Sequence, residues 1–373
     1  MGNTRAGTAG QAGAGTAGQA GAGTAGQVDQ AAGSKKVAVL GASGYPGAEL
    51  LRLLAGHPRF EVVTATARSH EGKAVADVYP SLAAAYPDLA FGPTEASAAE
   101  GADLAFCALP HGASQALVPE LLGRVGHVVD LAADFRLKDP GLYPVWYGGP
   151  HTCPELLQEA VFGLPELMGE ERPSLLGARL VAVPGCYVTA AALALAPLVR
   201  QGVVASQGVV VDAASGVSGA GNKLATETQF CSVDEDFRAY GLLAHRHTPE
   251  MEQLIGASLI FTPHLAPMNR GILATCYAPP AGDVSVDPLQ VLAAAYAGEP
   301  FVVVSERSPS TKAALGANAA HLTARRDPRT GWVVALCALD NLVKGASGQA
   351  LQCANAVMGW PETLGLPTLG VAP

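Results

Sequence analysis

The stretch Lys36-Val-Ala-Val-Leu-Gly-Ala-Ser-Gly-Tyr-Pro-Gly-Ala-Glu-Leu-Leu51 decides the fold that we predict for this chain. Its first five residues form an apolar run typical of a buried strand, and a helix is predicted from about Ala48 to Gly56. Between them, Gly41 permits a tight turn, Gly44 lets the backbone approach a pyrophosphate, and Gly47 allows close helix packing. The stretch therefore predicts a strand, a turn and a helix that together bind a dinucleotide.

Strand-like and helical segments alternate as far as about residue 184, and strands dominate after it. The strands predicted in the first part are Lys36–Leu40, Phe60–Ala67, Leu104–Leu109, Val128–Asp130 and Leu180–Val183. Those predicted in the second part are Gly208–Ala213, Ser258–Pro263, Gly271–Ala278, Phe301–Ser305, His321–Ala324 and Trp332–Leu339. The first pattern predicts an α/β, doubly wound parallel sheet, and the second predicts an α+β domain with a mixed or antiparallel sheet. A last helix is predicted from Asn341 to Met358.

Composition limits the classes of function. The chain has 373 residues, of which 49% are hydrophobic and 15% charged, which suits two domains with buried cores. A net charge of −9 without a Lys/Arg-rich run argues against a nucleic-acid partner, and no apolar run is long enough to predict a membrane helix. The seven cysteines form no Cys-x-x-Cys pair, so we expect reduced thiols in a cytosolic protein and no bound metal.

The end of the second predicted strand bears on the choice of cofactor. An acidic residue there would bind the ribose 2′-hydroxyl of NAD, whereas this chain has Arg68 and Ser69. Both residue types suit the additional phosphate of NADP. The alternative is a solvated loop arginine without a ligand.

Two further loops are candidates to touch a ligand. Leu109-Pro110-His111-Gly112 follows a strand at its carboxyl end, where such sheets bind ligands, so we expect it near the nicotinamide and leave the role of His111 open. The glycine-rich segment Ser215–Lys223 follows another strand and ends in a cation. Its backbone N–H groups can bind an anion, and a flexible connection is the alternative.

Cys186 differs from the other six cysteines, most of which lie within predicted strands or helices. It follows an apolar strand and a Pro-Gly turn, and a helix is predicted from Thr189 to Val199. The positive end of a helix favours the thiolate over the thiol, and the thiolate is the nucleophilic form. We therefore expect Cys186 to be a nucleophile rather than a buried apolar residue.

The phrase His245-Arg-His-Thr-Pro-Glu250 supplies a candidate acid/base group. Thr248-Pro249 is typical of a helix start, so Glu250 lies in the first turn, three residues after His247. A glutamate at that spacing can orient the His247 imidazole and raise its basicity. His245 is the alternative base, and a surface loop with stray histidines is the alternative without function.

Nine segments, in order, resemble the N-acetyl-γ-glutamyl-phosphate reductase family. They are Gly41–Arg52, Ala108–Gly112, Asp130–Arg136, Phe162–Glu166, Pro184–Tyr187, Gly216–Gly221, His245–Glu250, Pro263–Gly271 and Asp340–Gln349. The resemblance covers about residues 35 to 373 and leaves out the N-terminal repeat of Ala, Gly, Thr and Gln.

The resemblance implies an enzyme of arginine biosynthesis that uses NADPH to reduce N-acetyl-L-glutamyl 5-phosphate to the 5-semialdehyde plus phosphate. It implies a thioester on Cys186 with His247 as the acid/base group, and we expect Glu250 beside that histidine. The residues expected to bind NADP(H) are Gly41, Ser43, Gly44, Tyr45, Pro46, Gly47, Arg68, Ser69, Pro110, Gly219 and Asn341. The cations available for the substrate, which the sequence does not assign individually, are Arg136, Lys223, Arg246, Arg270 and Lys344.

We divide the chain into four segments on this basis. We expect residues 1–33 to form a disordered tail, because the repeat has no large apolar side chain to bury. Residues 34–184 form a Rossmann-type NADP-binding domain, and residues 185–340 carry catalysis, substrate binding and oligomer contacts. Residues 341–373 hold a helix that returns to the first domain. We expect a cytoplasmic homo-oligomer, a dimer or tetramer, with no nucleic-acid or membrane partner.

Three alternatives stay open at this point. The same reaction could act on another acyl phosphate, aminoadipyl or aspartyl, because pocket shape sets the substrate length. The related aspartate-semialdehyde dehydrogenases share the cysteine chemistry but are not expected to carry the phrase His245–Glu250. A phosphorylating aldehyde dehydrogenase would run the reaction toward oxidation. A regulatory protein that only binds NADP would have no reason to keep Cys186 and His247 together.

Overall fold

The computed structural model describes residue 2 and residues 33–371. The tail predicted for residues 1–33 therefore lies almost wholly outside the described residues, and its disorder stays a prediction. Residues from Ser34 onward cluster as one unit, and the following description concerns that unit.

Seven of the described strands form a first sheet in which every pairing is parallel. The strands are β1 (Lys35–Leu40), β2 (Phe60–Thr66), β3 (Phe91–Gly92), β4 (Leu104–Cys107), β5 (His127–Asp130), β6 (Val161–Phe162) and β7 (Leu180–Ala182). Their order is β3-β2-β1-β4-β5-β7-β6. The order reverses between β1 and β4, and such a reversal opens a ligand-binding crevice at the carboxyl ends of the strands.

Both faces of the first sheet are buried. Successive side chains along each strand point to opposite faces, so the central strands contribute to both buried clusters. On β1, Val37 and Val39 pack on one face and Ala38 and Leu40 pack on the other. The helices of this part are α1 (Tyr45–Ala55), α2 (Val75–Val78), α3 (Ala113–Leu121), α4 (Leu142–Tyr147), α5 (Leu156–Glu159) and α6 (Pro165–Met168). Because α1 covers the first face and α3 the second, the predicted doubly wound parallel sheet is confirmed.

The second sheet also has seven of the described strands, and it is mixed, as predicted. The strands are β8 (Val209–Gly216), β9 (Arg238–Ala239), β10 (Leu259–Ala266), β11 (Ile272–Ala278), β12 (Val302–Val304), β13 (Ala320–Arg326) and β14 (Val333–Leu339). Their order is β12-β13-β14-β11-β8-β10-β9. Only the β8–β10 and β12–β13 pairings among these strands are parallel.

One face of the second sheet is covered by helices, above all by α7 (Cys186–Arg200). The alanines at 190, 191 and 194 are fully buried, and their small side chains let the helix lie close to the sheet. The other helices here are α8 (Phe230–Val233), α9 (His247–Ile255) and α10 (Pro288–Ala295). Within residues 33–371, no helix is both long and apolar enough to cross a membrane.

The last helical segment returns to the first sheet, since Leu351 and Ala354 share a buried cluster with Val37. It is not the single helix predicted from Asn341 to Met358. It begins with a π-helical turn, Val343–Ser347, and continues as α11 (Gly348–Val357).

Candidate active site

The loop after β1 is built around two glycines that no other residue can replace without movement. Gly41 has a φ of +80°, and a side chain there would collide with the carbonyl of Ala108, just after β4. A side chain on Gly47 would lie 2.6 Å from the Cα of Ala42. These contacts bring α1 close to β1 and set the loop at the crevice between β1 and β4.

The N-terminus of α1 has the features of an anion site. Its N-cap, Gly44, has an extended backbone (φ −77°, ψ 163°) and provides no side-chain cap. A Cβ on Gly44 would meet only the Gly41 carbonyl at 3.6 Å and a carbon of Pro46 at 3.9 Å. The helix begins at Tyr45, earlier than the predicted Ala48, because Pro46 suits a first turn. The positive helix end and the open approach fit a phosphate group.

A cavity of about 690 Å³ lies beside this loop. Its lining includes Tyr45, Ser218, Asn222, Lys223, Arg270 and Leu342. The Asn222 side-chain amide donates to the Ser43 carbonyl at 2.7 Å, so the segment after the second sheet's first strand reaches the glycine loop. The adjacent helix N-terminus suits the phosphates of a dinucleotide, and Lys223 in the lining favours an anion.

The remaining cofactor candidates occupy three places. Arg68 and Ser69 are exposed just after β2, and Pro110 is exposed after β4. Gly219 lies in the short turn Val217–Ala220, where a side chain would meet the Ser215 hydroxyl at 2.8 Å. All are therefore at the carboxyl ends of strands of the two sheets, as expected of ligand-binding loops.

Asn341 orients neighbouring loops with both ends of its side chain. Its Oδ1 accepts from the Gly271 N–H at 2.7 Å, and its Nδ2 donates to the Ser218 hydroxyl at 2.9 Å. It is buried, so it holds the loop of Gly219 in place and offers little polar surface of its own.

Cys186 is the first residue of α7, earlier than the helix start predicted at Thr189. Its N-cap, Gly185, has an extended backbone (φ −66°, ψ 149°) and no side-chain cap. The side chain of Cys186 is half-buried. The thiol therefore lies at a helix N-terminus, as the sequence predicts.

The protonation state of Cys186 differs from the thiolate that its place at a helix N-terminus predicts. Burial raises the pKa of Cys186 to about 11, although the N–H groups of Tyr187 and Cys186 and the charge of Arg136 lower it. Glu250 opposes them by raising the same pKa. Desolvation thus outweighs the helix terminus, and the free protein holds a neutral thiol at pH 7.

His247 is the first residue of α9, and its imidazole lies directly over Gly185, because any side chain on that glycine would collide with the ring. Burial, with the nearby His245 and Arg136, holds the pKa of His247 well below its usual range. The ring is therefore neutral at pH 7. Its Nδ1 is buried, and no described residue gives it a hydrogen-bond partner.

His245 supports His247 rather than standing apart from it. Its Nδ1 accepts from the His247 backbone N–H at 3.1 Å, and the two ring centroids are 4.7 Å apart. Burial lowers the pKa of His245 to about 4. Both imidazoles are therefore in the neutral form, and His247 is the one next to the cysteine turn.

Glu250 has different partners from those expected. Its Oε1 accepts from Arg136 at 3.0 Å and its Oε2 accepts from the Gly185 N–H at 3.0 Å, so it does not orient His247. Arg136 also donates to the Leu131 carbonyl at 2.7 Å. A fully buried carboxylate needs a charge partner and hydrogen bonds, and here it ties the cysteine turn to Arg136.

The other proposed cations divide into two groups. Lys344 is fully buried against Glu166, and Arg270 is bound by Glu49 at 2.6 Å and Asp340 at 3.4 Å. Lys344 is thus unavailable to a ligand, contrary to expectation. Arg246 and Lys223 are exposed.

The Arg246 guanidinium lies 5.8 Å from the ring centre of Tyr147. The Tyr147 hydroxyl is buried, and no described residue bonds to it. Burial raises the pKa of Tyr147, and the charge of nearby Arg136 lowers it by a smaller amount. Tyr147 is a site candidate that sequence reasoning missed, because no local pattern marks it.

Asp134 is a second missed residue. Its carboxylate accepts from the N–H groups of Gly112 (2.8 Å) and Ser114 (3.0 Å), which fixes the start of α3 beside Pro110. The available signal was a carboxylate in the segment Asp130–Arg136, directly after a strand. Across residues 33–371, no group of three His, Cys, Asp or Glu side chains could hold a metal ion.

Comparisons with known proteins agree with this architecture. Residues 36–173 match the semialdehyde dehydrogenase NAD-binding domain, and residues 186–341 match the semialdehyde dehydrogenase dimerisation domain. A probable aspartate-semialdehyde dehydrogenase from Pseudomonas aeruginosa has the same fold, with a TM-score of 0.63 at 20% identity over 86% of this chain and 98% of that one. Aspartate semialdehyde dehydrogenase with NADP from Candida albicans gives 0.62 at 14% identity, over 87% and 98%. The fold and the cysteine turn thus define the semialdehyde dehydrogenase class.

Sequence comparison is more specific within that class. A protein of Symbiobacterium thermophilum named N-acetyl-gamma-glutamyl-phosphate reductase is 47% identical over 345 residues, which cover 90% of this chain and 98% of the relative. One of the same name from Geotalea daltonii is 47% identical over 348 residues, covering 91% and 99%. The chain belongs to the N-acetyl-gamma-glutamyl-phosphate reductase family.

Proposed function

We propose that this chain catalyses the NADPH-dependent reduction of N-acetyl-L-glutamyl 5-phosphate to N-acetyl-L-glutamate 5-semialdehyde and phosphate, through a thioester on Cys186. The observation that carries the proposal is the placement of Cys186 at the start of α7, with the His247 imidazole over the preceding Gly185. The name of the close relatives supports the choice of substrate and a place in arginine biosynthesis.

The crevice residues fit the cofactor. The open approach to Gly44 and the uncapped N-terminus of α1, beside the cavity, suit a phosphate-bearing dinucleotide. Exposed Arg68 and Ser69 suit the 2′-phosphate of NADP. When bound, NADPH supplies the hydride that reduces the acyl group.

The protein's part begins with a proton. The Cys186 thiol is neutral, so it must lose its proton before its sulfur can attack the acyl carbon. Neutral His247 can take that proton and later return it when the carbon–sulfur bond breaks. Arg136 lowers the pKa of the thiol and so stabilises the thiolate that forms. The sequence predicts a thiolate that is already formed in the free protein. We propose instead that the neutral Cys186 thiol transfers its proton to the His247 imidazole when the substrate binds.

Charge that develops on the substrate needs donors. The N–H groups of Cys186 and Tyr187 face the sulfur from the first turn of α7, so they are our candidates to stabilise an oxyanion beside it. Arg246 and Lys223 are the exposed cations proposed to bind the phosphate and carboxylate of the substrate.

The test is the reverse reaction. Purified protein is given NADP, inorganic phosphate and N-acetyl-glutamate semialdehyde, and NADPH formation is followed by absorbance. We expect turnover with wild type, none with Cys186→Ser, and little with aspartate semialdehyde. Turnover with only the aminoadipate or aspartate semialdehyde would keep the mechanism and reject the substrate. A fully active Cys186→Ser protein would reject the thioester.

We also infer a cytoplasmic homo-oligomer assembled through the uncovered face of the second sheet. Ile260, Val210, Tyr277 and Val334 form one apolar row across β10, β8, β11 and β14. Ile260 is 55% exposed and Tyr277 37% exposed, and an apolar row of this kind suits a second copy of the chain. Light scattering of wild type and Ile260→Lys tests the assembly, and an unchanged mass for the variant would reject this face.

The cysteines support the cytoplasmic location. All seven lie within the described residues as free thiols, which suits a reducing compartment.

A further inference from the structure

The π-helical turn Val343–Ser347 contacts two parts of the site. Its Gly345 packs against Cys186, and its Ser347 hydroxyl donates to the carbonyl of Pro46 in the glycine loop at 2.6 Å. One five-residue turn thus contacts both the proposed nucleophile and the loop proposed to bind the cofactor. π-helical turns are rare and occur preferentially at functional sites.

Gly345 is needed for this contact. A Cβ on Gly345 would lie 2.8 Å from the Cβ of Cys186 and 3.3 Å from its Cα. The Gly345 N–H donates to the Asp340 carbonyl at 2.9 Å, a bond with the i→i+5 spacing of a π-helix. The backbone of the turn can therefore support the cysteine side chain only at this register and only with glycine.

Lys344 fixes the turn from its other side. Its ammonium donates to Glu166 at 2.5 Å and to the Gln352 side-chain carbonyl at 2.7 Å. The Lys344 and Glu166 side chains are both fully buried, and Gln352 also donates to Glu166 at 2.9 Å. Burial raises the pKa of Glu166, but Lys344 and Gln352 lower it by more. The pKa of this carboxyl is therefore below its usual value, which favours the carboxylate.

The pair constrains the register of the helix. Moving from a π-helical to an α-helical turn rotates later residues by roughly 100° about the axis. Gln352 on α11 would then rotate relative to Lys344, and the two side chains could no longer both bind Glu166. A buried ion pair that loses its hydrogen bonds is unfavourable. The ion pair therefore selects the register that places Gly345 on Cys186.

We propose that Lys344 and Glu166 are positioning residues: their buried ion pair holds the π-helical turn so that Gly345 supports Cys186 at a fixed place relative to the glycine loop. The proposal rests on the role of Cys186 given under the proposed function. It assigns Lys344 a task inside the protein and not on the substrate.

The test replaces both members of the pair. Removing one would leave a buried charge and can prevent folding, whereas apolar replacement of a whole buried pair is often neutral for stability. We therefore use Lys344→Met with Glu166→Leu, and as a matched control Arg124→Met with Glu100→Leu, an exposed ion pair with a 2.8 Å contact. Thermal unfolding, kcat, KM and iodoacetamide alkylation of Cys186, followed by peptide mass spectrometry, are measured for all three proteins.

We expect the double variant to fold with a thermal midpoint near that of wild type and to lose about 10²-fold in kcat, because a displacement of about 1 Å in a reacting group costs that much. The KM should change little. The pH midpoint of Cys186 alkylation should fall from about 11 toward the ordinary value of a cysteine, because the thiol is no longer covered. Gly345→Ala should also lower kcat with the ion pair intact, because its methyl group must displace Cys186, and the control should match wild type.

Wild-type kcat together with a wild-type alkylation midpoint in the folded double variant would overturn the proposal and leave the pair a purely structural role. The alkylation assay needs no substrate, so its result stands even if the proposed reaction is wrong. Failure of the proposed function would appear separately, as full activity of Cys186→Ser.

Discussion

Two turns of this molecule have the same backbone conformation at the start of a helix but different surroundings. Gly44 and Gly185 each follow a parallel strand, each is the N-cap of a buried helix, and each has an extended backbone without a side-chain cap. Around Gly44 the space is open, with the nearest neighbour of a Cβ at 3.6 Å. Around Gly185 the His247 ring leaves no room for any side chain, and Glu250 accepts the Gly185 N–H.

The difference shows that a helix N-terminus has no function of its own. Where it faces an open crevice, its N–H groups remain available to an anion that arrives from outside. Where protein groups enclose it, desolvation dominates, and the pKa of the Cys186 thiol rises to about 11 in spite of the helix end. The first turn suits binding, and the second suits a nucleophile that is activated only when a base removes its proton.

The largest expected effect separates the two glycines directly. Gly185→Ala should reduce kcat by about 10²-fold or more, because the added methyl group must displace His247 or the cysteine turn. Gly44→Ala should keep kcat within about threefold and weaken NADPH binding instead, since its methyl group enters the approach of the phosphates. Steady-state kinetics and cofactor titration measure both. Equal losses of kcat in the two variants would remove the distinction drawn here.

Glu250→Gln tests what encloses Gly185. The amide keeps the shape but removes the charge that balances buried Arg136, so we expect about 3 kcal/mol lower stability. Turnover should fall about tenfold, because the carboxamide can still accept the Gly185 N–H. Urea unfolding and kcat provide the two readouts. Unchanged stability would mean that Arg136 does not depend on Glu250.

The pH dependence of alkylation sharpens the contrast in electrostatics. Because the pKa of Cys186 is about 11, its thiolate fraction and its reaction rate with iodoacetamide should rise about tenfold per pH unit from pH 7 to pH 10. Free cysteine, as a control, should level off above about pH 8.5. A rate at Cys186 that is already constant at pH 7 would indicate a preformed thiolate and contradict this account.

The smallest effect is expected at Arg68, which follows β2, the strand paired with β1. Arg68→Ala should raise the KM for NADPH about tenfold and leave the KM for NADH unchanged, because an exposed arginine–phosphate contact is weakened by solvent. Kinetics with both cofactors check it, with Lys73→Ala as the control for loss of an exposed charge. An equal effect on both cofactors would argue against a 2′-phosphate contact.

The sequence predicted what short-range patterns control. Apolar runs placed β1, β2, β4, β5 and β7 within a few residues, and the strand-to-turn-to-helix units around Gly44 and Cys186 have the predicted form. These features depend on neighbouring residues, whose spacing and conformational limits are visible in the chain itself. The fold class followed because alternating strands and helices have few ways to bury both faces of a sheet.

Contacts between distant residues could not be predicted in the same way. Glu250 pairs with Arg136, 114 residues away, and Lys344 pairs with Glu166, 178 residues away. The sequence showed that these charges exist but not that burial would force each to find the other. The raised pKa of Cys186 likewise depends on what covers the thiol, including Gly345 from the end of the chain.

The most direct test of the central claim is a search for the acyl enzyme by intact-protein and peptide mass spectrometry. The protein is mixed with N-acetyl-glutamyl phosphate in the absence of NADPH and quenched in acid. We predict an adduct of the acyl group on Cys186 that disappears when NADPH is added and never forms in Cys186→Ser. Full turnover with no adduct on Cys186, or an equal adduct in the Cys186→Ser protein, would contradict the account.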